Sequence, residues 1–284
     1  MNLLVFGKTG QVAAELAKAV PRGWVAQFLD RSEADLEHPE ECAAQINNIH
    51  PDIIINAAAY TAVDKAEDEE PRAHVINALA PAAMASAAGQ IGVPFVHIST
   101  DYVFDGSGNT AFLPCDAVNP LGAYGRTKLA GEQAVMRSVA QWLIIRTSWV
   151  FSGHGSNFVR TMLHLGAKRD AINVVNDQFG GPTPASAIAR CLITCAQHMR
   201  DRPVGGIHHF AGQPAVSWAG FAEAIMDESE LDCGIDAIPS SGYPTPAKRP
   251  ANSRLDCTSL EQEFGISAPD WRAELPHVIK ELRQ

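Results

Sequence analysis

A chain of 284 residues can form one large α/β domain with a smaller lobe and bury a substantial core without a metal or a disulfide. Its formal charge of -10 excludes an electrostatic grip on a nucleic-acid backbone, which needs clustered Lys and Arg, yet a small anion can still be held by backbone N–H groups at a helix N-terminus. The six cysteines (Cys42, Cys115, Cys191, Cys195, Cys233, Cys257) form no CxxC pair and read as reduced thiols; the N-terminus lacks the basic region of a signal peptide, and no apolar run matches a bilayer. Neither nucleic acid nor membrane is an expected partner, and a cytoplasmic location is expected.

In chain order, Leu3–Phe6, Trp24–Leu29, Ile53–Ile55, Phe95–Ile98 and Leu143–Ile145 have the length and polar flanks of buried strands. Between them, Val12–Val20, Pro71–Gln90 and Gly122–Ser138 carry apolar residues at helical spacing. Strand-helix alternation predicts a Rossmann-like, doubly wound parallel sheet. We place the dinucleotide-binding domain at residues 1–148, with 172–200 returning to it. Residues 149–171 and 201–284 are assigned mainly to a smaller α/β substrate-binding lobe. Within that lobe the segment Pro239–Pro250 has four prolines and no periodicity, so it reads as a functional loop or linker.

The first strand runs into Gly7-Lys8-Thr9-Gly10-Gln11-Val12-Ala13, which opens the first helix; this is the setting a dinucleotide fingerprint requires. Gly7 permits the turn, Gly10 admits a pyrophosphate to the backbone, and Ala13 keeps the third position small. The second strand ends at Asp30-Arg31. A carboxylate there suits ribose hydroxyls and a guanidinium suits a 2′-phosphate, so both NADH and NADPH are expected to be usable. Tyr124 and Lys128 are four residues apart and share a helix face. A nearby ammonium stabilises a phenolate, so the pair predicts a lowered Tyr124 pKa and proton exchange with a carbonyl oxygen. Thr100, in Ser99-Thr100-Asp101, stands at the carboxyl end of the fourth strand, where open α/β sheets bind ligands, and its hydroxyl can bond the same oxygen.

Almost end to end, the sequence resembles the dTDP-4-dehydrorhamnose reductases of the extended short-chain dehydrogenases. The matching segments include Gly7–Val12, Asn56–Glu67, Ser99–Phe104, Tyr124–Glu132, Arg146–Phe151, Asn176–Gly180 and Tyr243–Pro250. The resemblance implies that Gly10, Gln11, Val12, Asp30, Asp35, Leu36, Ala58, Ala59 and Tyr60 line the cofactor, joining Gly7 and Arg31. It also implies that Thr100, Tyr124 and Lys128 form the catalytic triad, and that Thr100, Asp101 and Trp149 touch the sugar. Asn77 corresponds to an asparagine that steadies an active-site water in the superfamily.

The implied activity is NAD(P)H-dependent reduction of the C4 keto group of dTDP-4-dehydro-L-rhamnose to dTDP-L-rhamnose, the last step of making that nucleotide sugar for cell-surface polysaccharide. By charge, Arg249 and Arg254 are candidates for the diphosphate. Some relatives appear as dimers bridged by a carboxylate-held metal, but here Ser186 stands where one carboxylate would be. No metal is therefore expected despite Glu15, and a homodimer stays open. Two other readings share these motifs. A dehydratase would need Asp-Glu after the threonine, whereas Asp101 is followed by Tyr102; a reductase of another dTDP-4-keto-sugar is not distinguished. A non-catalytic subunit like the regulatory subunit of methionine adenosyltransferase would bind without turnover.

Overall fold

Residues alternate between two apolar environments along each strand of the core, and that alternation explains the architecture. The computed structural model describes residues 1–138 and 140–284. Strands β1 (Asn2–Phe6), β2 (Val25–Leu29), β3 (Ile53–Asn56), β4 (Phe95–Thr100) and β5 (Trp142–Thr147) are parallel, and Gly206–His209 joins them in the order Gly206–His209, β5, β4, β3, β1, β2. Leu3, Val5, Ile53, Ile55, Val96, Leu143 and Ile145 point to one face, against Ile188 and Leu192 of the helix Ala185–Asp201. Leu4, Phe6, Ile54, Phe95 and Ile144 point to the other. There they meet Cys42 and Ile46 of Pro39–Ile49, a helix not anticipated from sequence, and Met84, Ala85 and Ala88 of Ala80–Ile91. Period-two side chains buried on both faces are what a parallel sheet between helices demands. The alanines of Ala80–Ile91 let its backbone lie close to the sheet.

The smaller lobe has its own core of Phe151, Val159, Ile172, Val174, Phe221, Ile225, Trp271 and Ile279. It is built from the parallel pair Ala171–Val175 and Gly234–Ile238 and the helices Phe158–Gly166, Trp218–Ser229 and Trp271–Leu282. Two segments therefore lie elsewhere than expected. Ala171–Val175, expected to return to the first domain, stays in the lobe because its apolar partner strand is Gly234–Ile238. Gly206–His209, expected in the lobe, completes the central sheet beside β5. Its pairing covers a β5 edge that would otherwise expose a row of unpaired backbone groups. Leu260 and Phe264, also from the presumed lobe region, pack into the sheet core.

The predicted helix Pro71–Gln90 is interrupted. Glu70–His74 is α-helical, Val75–Leu79 is a π-helical turn, and the α-helix resumes at Ala80. Such turns are rare and mark places where backbone must meet another element. Here the turn brings the Asn77 carbonyl against Gly131, where any Cβ would collide with it. No helix among the described residues is long and apolar enough to cross a membrane.

Candidate active site

A cleft of about 730 Å³ opens at the carboxyl ends of the parallel strands, where Gly7 follows β1, Asp30 follows β2, Ala57 follows β3, Thr100 closes β4 and Thr147 closes β5. This is the edge where ligands of open α/β sheets bind. Gly7 has φ +104°, and a side chain there would also press on the Ala57 carbonyl carbon at 3.3 Å. Gly10 is the N-cap of α1 (Gln11–Ala19), with no side chain capping the helix and open space where a Cβ would stand. The first-turn N–H groups therefore face a cradle fit for a phosphate. Ser99 Oγ, Asp101 Oδ2 and Thr147 Oγ1 are buried without a protein partner, and all three residues line the same cleft. Buried polar atoms left unsatisfied by protein are what a polar ligand would satisfy.

The cleft wall includes Gly7, Gly10, Gln11, Val12, Asp30, Arg31, Asp35, Leu36, Ala58, Ala59, Thr100, Asp101, Tyr124, Lys128 and Trp149, all named from sequence. Tyr60 is not among them: its phenol bonds Glu69 at 3.1 Å and its ring lies beneath Arg72. Asn77 does not reach the cleft either. Its carboxamide accepts from Tyr60 N–H at 2.8 Å and donates to the Tyr60 carbonyl and Thr127 Oγ1, both at 3.1 Å. It clamps a loop to the helix Ala123–Met136, with both Nδ2 protons committed.

Asp30 accepts hydrogen bonds from Ser32 N–H at 2.9 Å and Ser32 Oγ at 2.6 Å, which hold its carboxyl below the usual range. Lys8, in the glycine loop, pairs with Asp30 at 3.4 Å and Glu33 at 3.5 Å. Sequence reasoning passed over Lys8; the signal was a cation inside the loop facing the end of β2. Arg31 is engaged by Asp35 at 2.9 Å and by Glu37. Arg249 and Arg254, the diphosphate candidates, lie outside the wall. Arg249 pairs with Asp64 at 2.8 Å, fastening the Pro239–Pro250 segment to the first domain, and Arg254 lies over the Phe179 ring.

Tyr124 and Lys128 lie on the helix Ala123–Met136 and line the cleft together with Thr100, at the end of β4. Burial pushes the Tyr124 phenol well up, and Thr100 opposes this. The expected lowering by Lys128 is not seen, because the Lys128 nitrogen turns to the Ile98 carbonyl at 2.7 Å and to His97 Nε2 at 3.3 Å. Burial brings Lys128 down to about 8. Asp101, bonded to Thr100 Oγ1 at 3.0 Å, is pushed up to about 6 by burial. Its neighbour Tyr102 supplies no second carboxylate. On the opposite wall Trp149 has φ +48°, a strained conformation for so large a residue, and stacks on Trp218 with ring centroids 3.5 Å apart. Gly180 makes room for the indole, since a Cβ there would come within 2.7 Å of it.

Away from the cleft, Glu15, His154 and Glu281 bring potential metal-ligand atoms within 4.8 Å of one another. The Lys18 ammonium already binds Glu15 at 2.9 Å and Glu281 at 3.3 Å. Ser186 bonds Glu274 at 3.3 Å.

A parallel sheet with a helix-capped glycine loop and a Tyr-Lys pair facing it defines a nicotinamide-dependent oxidoreductase of Rossmann-like architecture. Residues 1–284 match the family described as RmlD substrate binding domain, and the chain belongs to that family. It is 43% identical over 294 residues to the dTDP-4-dehydrorhamnose reductase of Escherichia coli, covering 99% of this chain and 98% of that protein. The crystal structure of a dTDP-4-dehydrorhamnose reductase from Clostridium acetobutylicum superposes with a TM-score of 0.94 at 35% identity over 100% of both chains. That of Bacillus anthracis, in complex with NADP, gives 0.92 at 30% identity over 99% of both.

Proposed function

We propose that this protein reduces the C4 keto group of dTDP-4-dehydro-L-rhamnose to dTDP-L-rhamnose, with NADPH or NADH as reductant. The observation that carries the reading is that Thr100, Tyr124 and Lys128 share the wall of a cleft that begins at an uncapped helix N-terminus. Gly7, Gly10, Gln11 and Val12 would hold the pyrophosphate, Asp30 and Arg31 the adenosine ribose, Asp35 and Leu36 the adenine side, and Lys128 the nicotinamide ribose. The dinucleotide, when bound, supplies the hydride. Tyr124 then meets the C4 oxygen, and Thr100 joins it by turning its one hydroxyl proton from Asp101 Oδ1 to that oxygen, which orients the carbonyl. A buried phenol stays protonated at rest, so Tyr124 has a proton to donate as the oxygen becomes an alkoxide. Asp101 holds the Thr100 hydroxyl proton until the substrate takes it, and Trp149 offers an apolar face to the deoxy-sugar ring.

With one carboxylate at the cleft end of β4, the site favours reduction over elimination of water. A cytoplasmic location and a homodimer belong to the same reading. The test is direct: purified protein mixed with dTDP-4-dehydro-L-rhamnose should oxidise NADPH stoichiometrically and yield dTDP-L-rhamnose. A C4 epimer as product would keep the reductase and move the sugar assignment. Binding of both ligands without oxidation would make the chain a non-catalytic subunit.

A further inference from the structure

The helix that carries Tyr124 and Lys128 starts without a cap of its own. Gly122 stands at its N-cap with no side chain to accept a backbone N–H, although φ -135° and ψ 173° there suit any residue. The cap comes from elsewhere in the chain: Glu67 Oε1 accepts the Ala123 N–H at 2.9 Å, one residue before Tyr124. A Cβ on Gly122 would come within 2.5 Å of that oxygen, so the glycine lets the carboxylate in, and a negative charge at a helix N-terminus also suits the helix dipole. The stretch that carries Glu67 is tied on several sides. Asp64 accepts the Ala247 N–H at 3.2 Å and pairs with Arg249 at 2.8 Å, while Thr61 and Val63, just before it, line the cleft. Glu70 takes Arg126 of the catalytic helix at 2.9 and 2.7 Å, but that pair is exposed, and exposed pairs contribute little.

We propose that Glu67 is a positioning residue for Tyr124: by capping the first turn from outside the helix, it sets where the phenol stands in the cleft. The proposal rests on Tyr124 as the proton donor of the reaction above. Glu67 itself is not on the cleft wall. Further along, the helix is docked against backbone, with Gly125 at the Tyr102 carbonyl and Gly131 at the Asn77 carbonyl, where no Cβ could fit, and with Thr127 held by Asn77. Those contacts follow Tyr124 in the chain, whereas the Glu67 bond ties the turn that leads into it. A proton donor displaced by about 1 Å can lose about a hundredfold in rate, so one capping bond has leverage on turnover that its share of stability does not show. The bond also joins Tyr124 to the stretch that brings Thr61 and Val63 to the cleft, so the phenol and that part of the wall are placed together.

Two variants break the bond by opposite means. Glu67→Ala removes the acceptor, and Gly122→Ala, which the backbone there accepts, pushes the flexible end of Glu67 away. Each should lower kcat with dTDP-4-dehydro-L-rhamnose by about tenfold while KM and the NADPH dissociation constant stay within about twofold. Glu67→Gln offers a carboxamide oxygen to the same N–H and should hold kcat to within about threefold of the wild type. Gly122→Ala should cost nothing further in a Glu67→Ala protein, and Glu67→Ala nothing further in a Tyr124→Phe protein, because all three changes act through one phenol. A second readout needs no substrate. Tyrosine labelled at Cζ gives four signals, of which that of Tyr124 is identified by its loss in Tyr124→Phe. In the cofactor-free protein it should move in Glu67→Ala and Gly122→Ala and keep its place in Glu67→Gln. A Tyr124 signal unmoved in both variants, or kcat unmoved in either, would overturn the proposal. Wild-type protein that turns nothing over would sink the reaction instead, and the spectra would still decide whether Glu67 places the phenol. Should Glu67→Ala fail to fold, Gly122→Ala decides alone.

Discussion

The two ends of the cleft are built from different materials. The glycine-loop end is built largely of backbone: a positive-φ glycine, an uncapped helix N-terminus and the ends of the first three strands. The sugar end is made of side chains gathered from afar, with Trp149 stacked on Trp218 and seated by Gly180, opposite Thr100 and Tyr124. Backbone sites follow from local rules and tolerate almost no substitution at one or two positions. Side-chain sites depend on the lobe core that holds them and should fail gradually. The proposed catalytic pair, Thr100 and Tyr124, lines the same cleft.

The sharpest way to separate the catalytic pair from both ends is Tyr124→Phe. Turnover should fall by about a hundredfold or more, the scale of a lost general acid, while titration with NADPH shows binding retained. Lys128→Ala should be at least as harmful to turnover. Near-normal turnover of Tyr124→Phe would remove that residue from the proton-donor role. Next comes Gly7→Ala, which forces a side chain into a left-handed conformation and against the Ala57 backbone. Dinucleotide affinity should drop by about tenfold, equivalent to about 1.4 kcal/mol, with the sugar nucleotide affected only through the cofactor. If calorimetry shows the cofactor bound as before, the backbone account of that end is wrong.

Trp149→Leu is the complementary change. It should raise KM for the sugar nucleotide several-fold and leave dinucleotide affinity within about twofold, since removing one face of a stacked indole costs about 1 kcal/mol. Equal losses for both ligands would mean that the two ends are not separately built. The smallest effect is in stability against pH. Burial lowers Lys128 to about 8 from 10.5, so between those values the unfolded chain retains a proton that the folded chain has lost. Stability from this group therefore rises as pH climbs through that window. Thermal melts of the wild type and Lys128→Met should converge or cross in that direction, and parallel curves would contradict the assignment.

The same contrast explains what was legible from sequence. The glycine loop, the first five strands and the Tyr-Lys helix are local patterns, and each lies where its spacing placed it. A short motif does not reveal that the Tyr60 phenol bonds Glu69 and lies beneath Arg72, or that Asn77, in a π-helical turn, bonds the Tyr60 backbone and Thr127. Gly206–His209 could not be assigned because nothing within four residues says that β5 lacks a neighbour. Glu67 was hidden in a charged run, Asp64–Glu70, in which nothing marks the one carboxylate that caps a distant helix. Arg249 and Arg254 were chosen by charge, and charge does not tell a free cation from one already paired with Asp64 or laid on Phe179.

Gln11 was expected only to line the cofactor, yet its carboxamide oxygen accepts from Ser152 Oγ at 2.9 Å and Asn157 Nδ2 at 3.1 Å, both in the smaller lobe. Asn157 in turn caps the helix Phe158–Gly166, whose Phe158 lies against Trp218, the partner of Trp149. The first residue of the phosphate-facing helix is thus mechanically continuous with the wall that meets the sugar. If a pyrophosphate settling beside Gln11 shifts that wall, thermodynamic reciprocity requires the sugar nucleotide to change dinucleotide affinity by the same factor. Measuring each dissociation constant with and without the other ligand gives that factor, and Gln11→Ala should bring it toward unity.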